Sequence, residues 1–351
     1  MGNLEQLDKI DFKKADPKGM INNIVSFVDD ARQAFETASS FNVPAYYIKA
    51  KKIVLVGMGG SGAAGDIIKE YLSPHADLIV ESIHDYSLPS WAGSDTLVIL
   101  NSYSGNTEEV LAVFLEAQNR GAKMISVTTG GKLKVLSDKY KVPTLSFEYE
   151  GCPRASFPYL FILMLSVFMK LGYVNFTEAD VKSALDSLDE LKKKYLPDVS
   201  LFSNPAKILA EKIHGRVPVI FSSRLLAGAA LRFKNQINEN AKHWAFTCIF
   251  PELHHNVIEG MLRPENLCMV MMLESNFDYD RVTLRENISS EIMRKHKITL
   301  ERIKFVKAKD QLSETLSFVL LGDFVSYYLA ILDKVNPGVN EVIDEVKSKL
   351  S

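Results

Sequence analysis

The sequence predicts an α/β protein with two doubly wound parallel sheets, and two observations support that prediction. Short runs rich in valine and isoleucine alternate with helical patterns, and the alternation occurs once in each half of the 351 residues. A strand covered by helices on both faces is a continuous apolar run of this kind. We therefore expect two similar α/β halves packed together, with a helical arm before them and a helix after them.

The first half follows an N-terminal arm, residues 1–50, whose apolar positions recur at helical spacing. Residues 51–155 are the predicted first subdomain. Its expected strands are KKIVLVGM, DLIVESI, DTLVILNS, KMISVTT and PTLSFEY, and its expected helices are GAAGDIIKEYL and NTEEVLAVFLEAQNRG.

The second half repeats the pattern after connecting helices in residues 156–215. Residues 216–351 are the predicted second subdomain, which ends in an amphipathic helix. Its expected strands are VPVIFSS, AFTCIF, LCMVMML and KITLERIKF, and its expected longer helices are RLLAGAALRFKNQINENAK and QLSETLSFVLLGDFVSYYLAIL.

The composition is that of an ordinary globular protein, with 47% hydrophobic residues and a formal net charge of −2. No basic excess favours nucleic acid or an anionic membrane as a partner. The longest uncharged apolar stretch has 13 residues, which is too short to span a bilayer, and the first residues lack the apolar core of a secretory signal. Three cysteines in no ligand spacing are typical of a reducing compartment. We expect a cytoplasmic protein without a nucleic-acid or membrane partner.

A glycine-rich turn, IVLVGMGGSG, follows the first predicted strand. Gly57, Gly59 and Gly62 have the spacing of a dinucleotide-binding loop, and Glu81 lies about where an acidic ribose ligand would be expected. The turn is therefore compatible with an NAD site or with a site for a different phosphate.

A second turn, NSYSGNTEEVL, favours the phosphate interpretation. It also follows a strand and opens a helix, and it offers three hydroxyl groups beside backbone amides, a neutral cradle for a phosphate monoester. Taken alone, the turn could be an ordinary helix cap, but a dinucleotide needs only one such loop. No cofactor is predicted. The predicted phosphate-binding residues are Gly59, Gly60, Ser61, Ser102, Ser104 and Thr107.

These two turns resemble the first half of a sugar isomerase (SIS) domain. Three further segments, GCPRASFPYLF, NQINENAKHWAFTCIFPELHHNVIEG and NEVIDEVKSKL, are similar to the archaeal-type bifunctional phosphoglucose/phosphomannose isomerases. The resemblance extends from about Lys51 to the end. It implies two SIS subdomains and a metal-free isomerase that interconverts glucose 6-phosphate, and mannose 6-phosphate as well, with fructose 6-phosphate through a cis-enediol.

The resemblance assigns the proton transfer to Glu239, in INENAK, and the stabilisation of enediolate charge to Arg154, in CPRAS. Without the resemblance, Glu239 is compatible with a solvated surface carboxylate. Arg154 is likewise compatible with a surface ion pair to Glu148 or Glu150.

Ring opening needs an acid and a base, and the resemblance implies His255 and Lys347 for these roles. In the family the histidine comes from the partner subunit, so a homodimer with shared active sites is expected. His254 is the neighbouring alternative and is interpreted as structural, and Lys349 is the alternative to Lys347.

Three other features bear on function. Glu252, His254, His255 and Glu259 cluster in sequence, but without zinc-ligand spacing, so no metal is predicted. A non-catalytic sugar-phosphate sensor on the same fold is the alternative function. Before its last helix the family often has threonine or proline, where this chain has Val339 and Asn340, a departure that bears on mannose phosphate more than on glucose phosphate.

Overall fold

The computed structural model describes residues 6–72, 77–262 and 267–350, so residues 1–5 of the predicted arm and Ser351 lie outside the description. The chain forms two compact units. The first-sheet unit is Ser26–Leu185, and the second-sheet unit combines the described residues up to Val25 with those from Asp186 onward. The helices of the predicted arm are divided between these units. The boundaries predicted at residues 50, 155 and 215 stay a prediction.

Most of the described residues lie in α-helices or 3₁₀ helices. Their bounds are α1 Gln6–Lys9, α2 Phe12–Ala15, α3 Met20–Val25, α4 Phe27–Ser39, α5 Gly59–Leu72, α6 Glu108–Asn119, α7 Gly131–Tyr140, α8 Phe157–Lys170, α9 Glu178–Lys192, α10 Pro205–Ile213, α11 Ala227–Ala241, α12 Val257–Gly260, α13 Asp280–Lys295, α14 Gln311–Leu332 and α15 Glu341–Leu350. Short 3₁₀ helices are Ala45–Lys49, Pro153–Ser156, Leu201–Ser203, Arg224–Leu226 and Glu252–His255.

The first sheet has five parallel strands in the order β2-β1-β3-β4-β5. Their bounds are β1 Lys52–Val56, β2 Ile79–Ile83, β3 Thr96–Asn101, β4 Lys123–Thr128 and β5 Thr144–Ser146. After β1 the chain adds β2 on one side and then crosses to add β3 on the other. The connections diverge at the carboxyl ends of β1 and β3, which is where ligands bind in open α/β sheets.

The second sheet repeats this order with four parallel strands, β7-β6-β8-β9. Their bounds are β6 Val217–Ser222, β7 Phe246–Ile249, β8 Cys268–Glu274 and β9 Leu300–Lys304. The predicted fold class, two doubly wound parallel sheets flanked by helices, is confirmed.

The core of the second-sheet unit is built around α14, which packs against α10 and α11 and is buried along its length. Among the described residues, α14 is the helix long and apolar enough to cross a membrane by length and composition alone. Such burial is typical of the core helix of a globular domain, where every apolar face has a protein neighbour.

Three helices are not predicted by the sequence pattern: α7, α13 and the four-residue α12, which has no buried residue. In α7 only Leu133 and Ser137 are buried, and in α13 only three residues are buried, two of them polar. Helices that bury so little show weak apolar periodicity, which is why the pattern missed them. A further difference is the start of α5, which begins at Gly59 rather than at Gly62.

Candidate active site

The glycine turn between β1 and α5 is folded too tightly for side chains at two of its glycines. A Cβ at Gly57 would lie 2.8 Å from the backbone carbon of Ser61, and one at Gly62 would lie 2.7 Å from the carbonyl oxygen of Gly57. Gly59 has a φ of +54°, which favours glycine. The first turn of α5 begins at the carboxyl edge of the sheet, where the amides of Ser61 and Gly62 donate to the carbonyl oxygen of Met58. The amides of Gly59 and Gly60 precede these hydrogen bonds at the start of the helix, the usual place for an anion to bind.

The serine turn after β3 places its hydroxyls at the same edge. Ser102 is buried, and its Oγ lies 2.8 Å from Oγ1 of Thr107. Thr107 is the N-cap residue of α6, yet its side chain makes no capping hydrogen bond. The ordinary helix-cap interpretation therefore does not account for this threonine. Ser104 Oγ accepts a hydrogen bond from the amide of Asn106.

A hydrogen bond joins the two turns directly. Asn101, the last residue of β3, donates from Nδ2 to the carbonyl oxygen of Ser61 at 3.0 Å. The glycine and serine turns therefore lie side by side at the β1/β3 switch point. The structure thus brings together the six residues predicted to bind phosphate.

Arg154 lies beside the glycine turn, in the 3₁₀ helix that leads into α8. A Cβ built on Gly60 would be 3.5 Å from the Cα of Arg154. Arg154 is only 5% exposed, so its side chain is buried rather than solvated. A buried guanidinium next to the glycine turn provides fixed positive charge.

Glu81, the acidic ribose ligand expected in the dinucleotide interpretation, is engaged by another side chain. Glu81 lies within β2, half-exposed, and its carboxylate forms an ion pair with Lys69 at 3.5 Å. The strand order of this sheet also differs from the 3-2-1-4-5-6 order of dinucleotide-binding folds.

In the second-sheet unit, Glu239 lies near the end of α11 and lines a cavity of about 860 Å³. Its Oε2 accepts a hydrogen bond of 3.0 Å from Nδ2 of Asn340, in the segment before α15. The cavity is within the size range of small-molecule sites. Glu239 is therefore held in place beside a cavity, unlike a freely solvated surface carboxylate.

Polar residues on one face of α11 fix this helix against α14. Arg232 donates to both carboxylate oxygens of the buried Asp323, at 2.9 and 2.8 Å, and Gln236 donates to the same carboxylate at 2.8 Å. One turn further, Asn240 donates to the hydroxyl of Ser326. Because these contacts repeat every four residues up to the turn that carries Glu239, the position of that carboxylate is set by the helix core.

Lys242 closes the end of α11 and ties it to the segment before α15. Its backbone is left-handed, with a φ of +54°. Its ammonium donates to the carbonyl oxygens of Glu239, Asn336 and Val339 at 2.6, 3.1 and 2.6 Å. Lys242 thereby fixes the position of residues 336–339, which lie directly before Asn340.

The adjacent histidines have different environments. Arg285 donates to Nδ1 of His254 at 3.1 Å, so the other ring nitrogen carries the hydrogen and donates to Ser289 at 2.7 Å. Burial, Arg285 and His255 lower the pKa of His254, which keeps the ring neutral. His255 is exposed. This contrast favours His254 as the structural histidine and leaves His255 as the candidate for chemistry.

The two candidate lysines lie on α15, whose residues are all exposed or partly exposed. Lys349 forms an ion pair with Glu345 four residues earlier on the same helix. Within the described part of the chain Lys347 has no such ion pair. Neither Lys347 nor His255 is among the residues that line the cavity beside Glu239.

A metal centre finds no support in the described residues, where no group of three or more histidine, cysteine, aspartate or glutamate side chains is arranged to hold an ion. Within the Glu252–Glu259 segment, Glu252 accepts a hydrogen bond from Asn256, and His254 is engaged on both ring nitrogens.

Two residues around Glu239 are not identified by the sequence pattern. In the sequence Asn340 is notable only as a departure from the family, and Lys242 only as a neighbour of a solvated Glu239. Asn340 and Lys242 reach across the fold to their partners, and no local pattern reveals such contacts.

Comparison with known proteins defines the class of protein first. Residues 46–137 match the family model described as the SIS domain, and residues 202–350 match that of the bacterial phospho-glucose isomerase C-terminal SIS domain. Solved structures share the fold. They include a hypothetical protein from Thermus thermophilus, with a TM-score of 0.73 and 13% identity over 99% of this chain and 93% of that one. A second is the C-terminal domain of glucosamine-fructose-6-phosphate aminotransferase from Francisella tularensis, with a TM-score of 0.69 and 14% identity over 91% and 98%.

Curated relatives narrow the class to one family. A bifunctional phosphoglucose/phosphomannose isomerase from Caldicellulosiruptor bescii is 32% identical over 95% of this chain and 99% of its own. The corresponding protein of Aquifex aeolicus is 33% identical over 86% of this chain and 90% of its own. A D-glucosamine-6-phosphate 4-epimerase from Sulfolobus acidocaldarius is 34% identical over 65% and 69%. The chain belongs to the family of bifunctional phosphoglucose/phosphomannose isomerases, and it is an enzyme.

Proposed function

We propose that this enzyme interconverts glucose 6-phosphate, and mannose 6-phosphate as well, with fructose 6-phosphate through a cis-enediol. The observation that carries the proposal is Glu239, which lines a cavity and has its carboxylate fixed by Asn340. An aldose and its ketose differ by the position of one proton and one carbonyl, so a single positioned carboxylate suffices as base and then acid. Family membership supports the substrate class.

In this proposal the substrate phosphate binds at the joined glycine and serine turns. The amides of Gly59 and Gly60 and the hydroxyls of Ser102, Ser104 and Thr107 are the donors, and the helix N-termini favour the dianion. Arg154 supplies the positive charge that stabilises the enediolate.

Glu239 takes the proton from C2 of the aldose phosphate while the C1 carbonyl oxygen becomes negative. The same carboxylic acid then returns the proton to C1, while the proton of the C2 hydroxyl passes to the oxygen on C1, so that C2 becomes the ketone and C1 the alcohol. Glucose and mannose phosphates differ only at C2, which is planar in the enediol, so one base can process both. The overall change is an isomerisation and consumes no oxidant or reductant.

The proposal gives ring opening to His255, supplied by the partner subunit of a homodimer, and to Lys347. The engagement of His254 by Arg285 and Ser289 supports the choice between the two histidines. The ion pair of Lys349 supports the choice between the two lysines.

The test is a coupled assay that follows formation of glucose 6-phosphate from fructose 6-phosphate, repeated with mannose 6-phosphate as substrate. We expect turnover of both, and loss of both in Glu239→Gln with the fold retained. Absence of turnover by the folded wild-type protein would contradict the proposal. A non-catalytic sensor, the alternative that the sequence leaves open, is not supported for a member of this enzyme family.

A second candidate reaction rests on the relative from Sulfolobus acidocaldarius, whose name gives epimerisation at C4 of an amino sugar phosphate. Glucosamine 6-phosphate should therefore be assayed in parallel. Formation of a C4 epimer without isomerisation of fructose 6-phosphate would favour this second candidate. The isomerase proposal expects the opposite result.

A further inference from the structure

His84 lies at the end of β2, beside the glycine turn, and both of its ring nitrogens are engaged. Nδ1 is 2.7 Å from the carbonyl oxygen of Gly57, and Nε2 is 3.0 Å from Oδ1 of Asp66. A carbonyl oxygen and a carboxylate only accept hydrogen bonds, so each ring nitrogen must carry a hydrogen. Both hydrogen bonds are made at once when His84 is an imidazolium.

The imidazolium is packed into the glycine turn. A Cβ at Gly62 would lie 2.8 Å from both Cε1 and Nδ1 of His84, so the third glycine of the turn leaves room for this ring. The amide of Gly57 also bonds to the carbonyl oxygen of Ile83, at 3.4 Å. Both backbone groups of Gly57 therefore contact the end of β2. Its amide bonds to the backbone of Ile83, and its carbonyl oxygen bonds to the ring of His84.

Other charged groups near the ring of His84 shift its pKa in both directions. On α5, Asp66 raises the pKa of His84 through its hydrogen bond, and Lys69 lowers it. Lys69 is itself paired with Glu81 on β2, and Asp85 follows His84 in the chain. The resulting pKa of His84 is raised, which favours the charged ring in which both hydrogen bonds are made.

We propose that His84 is a positioning residue of the phosphate site: as an imidazolium held by Asp66, it fixes the Gly57 carbonyl and so the turn that presents the first amides of α5 to the substrate phosphate. This inference rests on the proposed function of that turn. The charged ring also adds positive potential beside a site for a dianion.

The proposal has a defined pH dependence. A group whose pKa is raised in the fold contributes its full effect while protonated, and the effect is lost as pH rises through the folded pKa. Phosphate should therefore bind more tightly below the pKa of His84 than above it. By linkage, bound phosphate should raise that pKa further.

The first experiment titrates the Cε1–H signal of His84 by NMR in the wild-type protein, with and without inorganic phosphate. The signal is identified by its loss in His84→Gln. We expect saturating phosphate to raise the pKa of His84. If phosphate shifts the amide signals of residues 102–107 but leaves the titration of His84 unchanged, the positioning role is wrong while the phosphate site stands. If phosphate shifts neither, the phosphate assignment of the turns is wrong, and the positioning role fails with it.

The second experiment measures KM and kcat against pH in two variants. His84→Gln should raise KM about two- to tenfold below the pKa of His84, the effect of one lost hydrogen bond, with kcat within about twofold. Asp66→Asn can hold a neutral ring by donating to Nε2, so its KM should lose the pH dependence that the wild type shows. His296→Gln, at an exposed histidine after α13, is the control and should match the wild type. A fall in kcat without a change in KM, or an unchanged pH profile in Asp66→Asn, would overturn the proposal.

Discussion

Asn340 donates a hydrogen bond of 3.0 Å to the carboxylate of Glu239, across 101 positions of sequence. The amide orients one carboxylate oxygen, and in the proposed mechanism the other oxygen contacts the substrate. Lys242 supports the arrangement, because its ammonium binds the carbonyl oxygens of Glu239 and Val339 and so holds the segment that carries Asn340.

Asn340→Ala should lower kcat about tenfold, because a hydrogen bond that orients the reacting carboxylate is worth about that factor. Asn340→Asp should lower it further, since a second carboxylate beside Glu239 repels the first. Steady-state kinetics with fructose 6-phosphate measure both effects. Asn235→Ala, on the same helix but not on the cavity, is the control. Wild-type kcat in both Asn340 variants would contradict this role.

The phosphate site predicts a change in KM rather than kcat. Ser104→Ala combined with Thr107→Val removes two hydroxyl donors and should raise KM for fructose 6-phosphate about 10- to 100-fold. Thr144→Val removes a hydroxyl at the opposite edge of the same sheet and should leave KM unchanged. An unchanged KM in the double variant would place the phosphate elsewhere. NAD should give no thermal shift, and a clear shift at micromolar NAD would revive the dinucleotide interpretation.

The shared-site homodimer predicts complementation between two inactive variants. In a hybrid of Glu239→Gln and His255→Ala subunits, one site carries both changes and the other carries neither. Activity should therefore return after subunit exchange. The pairing of Glu239→Gln with Asn340→Asp serves as a comparison and should show no such recovery, since both residues belong to the same subunit's site and the hybrid then has no intact site. If exchange is demonstrated by mass and activity stays at the level of the separate variants, His255 does not complete a partner's site.

Glu286 predicts a pH-dependent stability. It is 1% exposed on α13, its Oε1 has no hydrogen-bond partner among the described residues, and burial with Asp278 and Glu274 raises its pKa to about 8. A carboxyl whose pKa is raised in the fold stabilises the protein while protonated, so stability is lost as pH rises from about 4.5 towards 8.

Glu286→Gln mimics the protonated form and should therefore increase the free energy of unfolding at pH 8 by an amount on the order of a few kcal/mol, with little change at pH 5. Denaturant unfolding at both pH values measures this. Glu291→Gln, at an exposed position of the same helix, should change neither value. An equal effect of Glu286→Gln at both pH values would show that Glu286 is ionised in the fold.

The glycine and serine turns could be predicted because their signals are local. Each is a strand-to-helix connection whose residues are neighbours in sequence, and parallel strand order brings the two connections to one edge. The detailed shape of the glycine turn could not be predicted from the sequence. Gly59 already begins α5, and Gly62 leaves space for His84, a residue that follows another strand.

The surroundings of the proposed base could not be predicted in the same way. Asn340 and Lys242 are polar residues of ordinary type, and their importance arises from contacts made only after α11 packs on α14. The same holds for the two histidines, since the sequence presents them side by side and Arg285 and Ser289, which engage His254, come from α13, a helix the pattern missed.

Solvent deuterium incorporation tests the central claim, that Glu239 is the base, most directly. During turnover in deuterated water the wild type should place deuterium at C2 of glucose 6-phosphate or C1 of fructose 6-phosphate. Glu239→Gln should bind substrate with similar affinity and lose this exchange along with about 10²- to 10⁴-fold in kcat, the usual contribution of a positioned general base. Exchange by Glu239→Gln at the wild-type rate would contradict the account, because another residue would then be moving the proton.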